Sequence, residues 1–434
     1  MQPNKPDPST LAPMSQRELN HVMKKHSMYL KGEIGGGRAV LQYCNLSGLD
    51  LSNQDLSQAD FTASHFRDAN LSGGNFKSAS FFACDLRNAN MRNANLCRVD
   101  FRGAYVSGAD LTGADLTDAD MREGKVMRRG TDGTMEDQAR SGGGKGSKTI
   151  FTGAKLKDTN MEGVQANQAD FSDADMTGVI LKDTDLGGAS FVGANLADAD
   201  MTGADLSNTN MRDSVMTGAI LADVEDQGMI SYGAITEADM GNKLENLGKS
   251  LAELLEEHTL WVSTAGSAGR KLDLSDYDLR DVLNLRKFPL TAIDASGAIF
   301  IGQDLREAEM QSGVFDRSDF RDCNLGGADL RGSSFKYSVF TRANMKGVKL
   351  CPLEFKKDGQ ESRLKRVDMS GSIMKYANFE AADLRDCILM GVDLSHANLK
   401  GADLRRADLT GAILDEANLD GAKLDDTAID LANL

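Results

Sequence analysis

The chain has 434 residues, 41% hydrophobic and 26% charged, which excludes a disordered composition and suggests two to four domains. A formal net charge of −16 argues against general binding to nucleic acid or to anionic membrane surfaces, because phosphates would be repelled. Aromatic residues make up only 6% of the chain, with one Trp, so Leu, Met, Phe and Ala must fill any core in a regular way.

Residues 1–38 read as a tail followed by a capping helix. Met1 to Met14 is polar and contains Pro, with no apolar secretory core. Ser15 and Glu18 have capping-box spacing, and Leu19, Val22, Met23, His26 and Leu30 share one helical face. Residues 39–240 form a first repeat module. From Leu41 to Met121 a large apolar residue returns at every fifth position, Leu111 and Leu116 among them. A small residue such as Ala109 or Ala114 usually lies two places before it, and Asp110 or Asp115 one place before. The unit is A-[D/N]-[L/F/M]-x-x. A period of five fits neither an ordinary strand nor an ordinary helix. A chain that turns a corner after each pentapeptide points the large and small residues into a square coil and leaves three positions outside. Stacked coils would pair at about 4.8 Å, each stabilised by its neighbours.

Residues 122–149 break the pattern with a Gly-rich, basic stretch. We read it as a flexible loop and a candidate interaction surface, carried by Arg128, Arg129, Lys145 and Lys148. The phase resumes at Phe151, so the loop should leave and re-enter at one corner. The pattern decays between Asp223 and Met240. Residues 241–271 read as a linking and capping helix, roughly Asn242 to Val262, with Leu244, Leu247, Leu251, Leu254 and Leu255 on one face. The second repeat module, 272–434, slips by one residue between Leu279 and Leu285 and is interrupted by an insertion at 352–366. It continues through Leu394, Leu399 and Leu404 to Leu434.

A constant offset of 232 aligns Leu19 with Leu251, His26 with His258, Tyr29 with Trp261 and Arg38 with Arg270. This implies an internal duplication in which each solenoid carries a helical header. A header laid across an open coil would cover apolar side chains and unpaired edges. His26, Tyr29, His258 and Trp261 are the expected anchors of these caps. No header follows the last coil, which makes it a candidate homodimer surface.

The repeat resembles the pentapeptide-repeat family over most of the chain outside the headers and insertions. That resemblance implies an all-β fold: a right-handed quadrilateral parallel β-helix with four pentapeptides per coil, here as two tandem solenoid modules. It also implies dimerisation through the uncapped C-terminal coil, as in gyrase-binding relatives.

No motif for catalysis or for a cofactor emerges. Cys44, Cys84, Cys323 and Cys387 occupy the small inward position, and no CxxC pair suggests zinc. The Asp residues recur at period five without the nine-residue calcium repeat or EF-hand spacing. Lys145 is followed by Gly146, so the glycine-rich stretch is no phosphate loop. Charge is unevenly spread: 151–240 holds 16 acidic and 4 basic residues, whereas 122–150 holds 4 acidic and 7 basic. The sequence therefore suggests a cytoplasmic, non-enzymatic scaffold that binds proteins through its faces and loops, without direct nucleic-acid contact, cofactor or membrane span. The alternatives are a DNA-mimicking modulator of a type II topoisomerase, as in the quinolone-resistance relatives, and a secreted effector acting at host membranes.

Overall fold

The computed structural model describes residues 11–124, 127–129, 135–137, 148–236, 241–280, 282, 285–286, 289–355 and 362–429. The chain divides into two compact units, Met1–Asp239 and Met240–Leu434.

In unit 1 the residue before each rung pairs in parallel with the equivalent residue 20 positions on, as in Asp60↔Ser80↔Asp100↔Asp120. Four pentapeptides therefore make one coil. The step grows to 45 at Tyr105↔Ile150, which accommodates the first insertion without loss of phase. Each rung donates its N–H to the next coil, as Leu116 does to Asn160 at 2.7 Å. Each rung carbonyl also accepts from the small residue three places on, as Leu56 does from Ala59 at 3.1 Å. Every unit thus closes in a β-turn, and its third residue has positive φ, 62° at Gln58 and 68° at Gly113. That requirement places Gly, Asn and Asp at the corners.

The interior is a ladder of like on like. Phe61, Phe81 and Phe101 stack at ring separations of 4.9 and 5.5 Å, and Phe151, Phe171 and Phe191 at 5.2 and 5.1 Å. Where the small position is polar, its hydroxyl is satisfied internally: Ser64 Oγ donates to Leu41 O at 2.6 Å. The sequence pattern fades after Leu221, yet the backbone completes another coil through Val215↔Ile235. Asp226, Ser231 and Thr236 take the rung positions of this coil. It lies at the end of the ladder, so its inward side chains need not be apolar.

Unit 2 follows the same plan. Its first steps are 21 residues (Asp273↔Asp294, Asp278↔Ile299), later ones are 20, and one step of 34 at Ser334↔Asp368 carries the second insertion. Two Phe columns run up its interior, Phe300–Phe320–Phe340 and Phe315–Phe335, with centroids 4.6 to 5.0 Å apart. Its last described rungs, Leu414, Leu419, Leu424 and Ile429, are apolar.

Each unit starts with a short strand and a helix. In unit 1, β1 (Ala12–Pro13) pairs in parallel with β2 (Cys44–Asn45), and α1 spans Gln16–Leu30. Both insertions form hairpins rather than plain loops. In the first, β3 (Met127–Arg129) pairs antiparallel with β4 (Met135–Asp137), with Arg128 opposite Glu136. In unit 2, β5 (Asn242–Lys243) pairs with β6 (Tyr277–Asp278), followed by a 3-10 turn at Leu244–Leu247 and α2 at Leu251–Ser263. The region read from sequence as one helix is therefore a strand, a turn and a helix. Gly248 (φ 71°) breaks it, and Ser250 starts the helix. The second insertion pairs β7 (Leu353–Phe355) with β8 (Arg363–Lys365).

Candidate functional site

The residues that can meet a partner lie on the outer faces, the corners, the headers and the hairpins. On the faces, the Asp or Asn before each rung forms a local turn. Asp110 Oδ1 accepts from Thr112 N–H at 3.1 Å and from its hydroxyl at 2.7 Å. Where Arg follows the rung, the carboxylate binds it as a fork. Arg405 reaches Asp403 at 2.8 and 2.6 Å, and Arg331 reaches Asp329 at 2.8 and 2.6 Å. The Arg306 guanidinium holds the Asp304 carboxyl at about 2 against the opposing effect of burial. These cations are committed to their own face.

The corners follow a rule visible only at the coil period. In one coil an Asx sits at the positive-φ corner, and Gly takes that corner in the next. A Cβ on Gly163, Gly178 or Gly193 would come within 2.8, 2.6 and 2.6 Å of the Oδ1 of Asp118, Asp158 and Asp173. The Asx side chain occupies the space that the glycine leaves free.

The headers contact the first coil of each unit. His26 is fully buried; its Nδ1 accepts from Ala39 N–H at 3.0 Å, so its Nε2–H donates to Ser57 O at 3.0 Å. His258 repeats this, with Leu272 N–H at 2.9 Å and Thr291 O at 2.7 Å. Burial lowers the proton affinity of both imidazoles. Tyr29 and Trp261 stack on these rings at 5.8 and 5.7 Å. In unit 1 the Gln16 amide replaces a missing strand: Nε2 donates to Asp50 O, and Oε1 accepts from Asp50 N–H, both at 2.8 Å. The helix starts differ, because Ser15 and Ser250 both close capping boxes but lie 235 apart. With the histidines 232 apart, α2 begins about one turn nearer its histidine.

Of the candidate loop residues, Arg128 and Arg129 fall in β3, Lys148 is exposed, and Lys145 lies outside the described residues. The returning strand is anchored by the buried Thr149, whose hydroxyl donates to Arg122 O at 3.0 Å and accepts from Gly103 N–H at 3.0 Å. On the second hairpin Leu353 packs over Gly332, while Phe355 and Leu364 are 48% and 65% exposed. The ladder residues Leu111, Leu116, Leu394, Leu399 and Leu404 are at most 1% exposed. Cys97 donates to Asp115 at 3.0 Å; burial and that bond push its thiol up to about 11. Among the described residues no group of acidic, His and Cys side chains is arranged to hold a metal ion. No described helix is long and apolar enough to cross a membrane.

Three comparisons bear on kinship. The model of pentapeptide repeats matches in eight copies, over residues 44–81, 79–122, 151–183, 180–218, 314–350, 360–389 and 387–426. No curated protein sequence matches the chain. Among solved structures the chain is similar to QnrB1, a plasmid-mediated fluoroquinolone resistance protein, at 20% identity over 50% of this chain and 94% of that one, with a TM-score of 0.20. It is also similar to HetL, involved in heterocyst differentiation regulation in the cyanobacterium Nostoc (19%, 95% of each chain, TM-score 0.13). A third is Rfr23 from the cyanobacterium Cyanothece (22%, 31% and 91%, TM-score 0.16). Likeness at this level carries no argument about function. The repeat model covers more than half of the chain, and the 20-residue coils with their apolar rungs are the β-helix solenoid of that family: the chain belongs to the pentapeptide-repeat proteins.

Proposed function

We propose that the chain is a non-enzymatic scaffold that binds protein partners through its outer faces and its two hairpins. The observation that carries this reading is the division of labour within each pentapeptide. Rung and small side chains fill the interior, and the exposed positions are small, polar and regularly spaced on rigid backbone. The hairpins are the two interruptions of that regularity, and loops on a rigid frame are common seats of specificity. We read the two units as duplicated modules, each capped by its header through His26 with Tyr29 or His258 with Trp261. The apolar last coil of unit 2 is a candidate homodimer end. The six cysteines, free in the structure, fit a cytoplasmic setting.

Affinity capture from native cells tests this reading. The intact chain should retain a protein that is lost when residues 130–146 or 356–361 are replaced by a short Gly-Ser link; retention indifferent to both hairpins would count against it. A second reading, DNA mimicry toward a type II topoisomerase, is favoured by 151–236, where Asp and Glu number 14 and Lys and Arg 4, with Asp185 and Asp205 on neighbouring strands. Its test is gyrase supercoiling, and no effect at micromolar protein removes it.

A further inference from the structure

Unit 2 carries an apolar strip along one corner. In four successive coils, whose first rungs are Phe335, Met369, Leu389 and Leu409, the corner residues are Tyr337, Gly371, Gly391 and Gly411. N–H bonds to Ser370, Met390 and Thr410 carbonyls link the first three of these to the coil that follows. The Tyr337 ring lies over Gly371, where a Cβ would meet it at 2.7 Å. Beyond that ring the corner is bare, because nothing lies within 4 Å of the Cβ position of Gly391. Met390 lies just before the corner, and the bridged column Ile373–Asp393–Ile413 just after it. Tyr337, Met390, Ile373 and Ile413 are 63%, 45%, 41% and 46% exposed. At about 4.8 Å per coil the strip is about 15 Å long.

Its two ends differ in charge. Arg317 and Lys336 stand at the Tyr337 end. Asp408, Asp415 and Glu416 stand at the Ile413 end, where the outward positions of the last coil on these two faces hold no cation. Such a strip is complementary to itself when reversed.

We infer that this strip is a two-fold interface between two copies of the chain, packed antiparallel about an axis between the Met369 and Leu389 coils. Tyr337 of one copy then meets Ile413 of the other, and Ile373 meets Met390. Arg317 and Lys336 face Asp415 and Glu416 twice over. An isologous contact repeats every favourable pair, and an apolar centre with a charged rim is the usual anatomy of an interface. Parallel packing would instead set like charges together at both ends. The interface lies on the side of the solenoid and leaves the last coil free.

Sedimentation equilibrium of the full chain tests the inference. The chain should dimerise, and Met390→Lys should raise the dimer Kd about tenfold or more. A chain with Asp415→Lys and Glu416→Lys, and another with Arg317→Glu and Lys336→Glu, should each self-associate less. Mixed, they should restore the dimer, since every rim contact is again between opposite charges. The mixture also guards against misfolding, because two misfolded chains would not rescue each other. A monomer at all concentrations, a dimer indifferent to Met390→Lys, or one lost only on Leu424→Lys at the last coil would overturn the proposal.

Discussion

Mild acid should loosen both headers before it touches the coils. His26 and His258 are fully buried and neutral, with Nδ1 accepting a backbone N–H and Nε2–H donating to a carbonyl. Protonation would set an N–H against the N–H of Ala39 or Leu272 and place a charge in a desolvated site. Their proton affinity is lowered chiefly by burial; the carbonyl bonds, and Asp55 beside His26, oppose this, while Arg38 and Lys271 add to it. A base whose folded pKa lies below the unfolded value of about 6.5 leaves the unfolded state richer in protons. Stability is therefore intact at neutral pH and falls as pH drops below about 6.5 toward the folded value. At pH 5.5 the loss per histidine has a ceiling of about 1.4 kcal/mol. The depressed carboxylates do not contribute there, since their unfolded values lie near 4. His396, stacked on Tyr376 at 4.7 Å and 3.7 Å from Glu416, is also lowered by burial, so the comparison is made in a His396→Gln background. Solenoid coils depend mainly on their neighbours, so the loss should stay local. Native-state hydrogen exchange at pH 7.5 and 5.5 measures this, with the amides of Ala39, Asp50 and Leu272 compared with those of Leu116 and Leu394. Opening free energies should fall at the headers and hold at mid-solenoid, and His26→Gln with His258→Gln should abolish the difference. Equal change at both places, or none at the headers, would refute the reasoning.

Leu116→Ala, at a rung with no exposure, should cost about 2–5 kcal/mol in urea unfolding of unit 1. Gly269→Ala would set a Cβ against the Glu257 carbonyl at a φ of +77°, so header amides should lose exchange protection while late coils keep theirs. Replacing 130–146 by a two-residue link should leave thermal unfolding of unit 1 within about 1 kcal/mol, because the ladder passes directly from Tyr105 to Ile150. Cys97, held near 11, should react with a thiol reagent at pH 8 about a hundredfold more slowly than an exposed cysteine, and Asp115→Asn should speed it. A rate equal to that of a free thiol would show that the Asp115 bond does not form.

The interior was legible because its signal is local. A rung such as Leu394 repeats at five, and the small position two places before it, held here by Val392, repeats with it. Even the slip between Leu279 and Leu285 therefore showed in a linear reading. The Ser15–Glu18 box was legible for the same reason. The corners were not, since the alternation of Asp118 with Gly163 or Asp183 with Gly203 appears only when the chain is folded at its coil period. The forks had a signal that period-five reading passed over, the tripeptide Asp-rung-Arg at 329–331, 383–385 and 403–405. The hairpins are pairs of three-residue strands, too short for periodicity to register. The Gln16 contact with Asp50 spans 34 residues and depends on where the helix lies.

Adjacent substitutions at Leu399 and Lys400 test the inside–outside assignment on which the rest depends. Leu399 is 1% exposed and Lys400 faces solvent. Leu399→Asp should bury a carboxylate at a cost of several kcal/mol and remove the cooperative urea transition of unit 2. Lys400→Asp, one residue away with the same new side chain, should stay within about 0.5 kcal/mol of the parent. Equal stabilities for the two variants would show that these side chains do not divide between the interior and the surface.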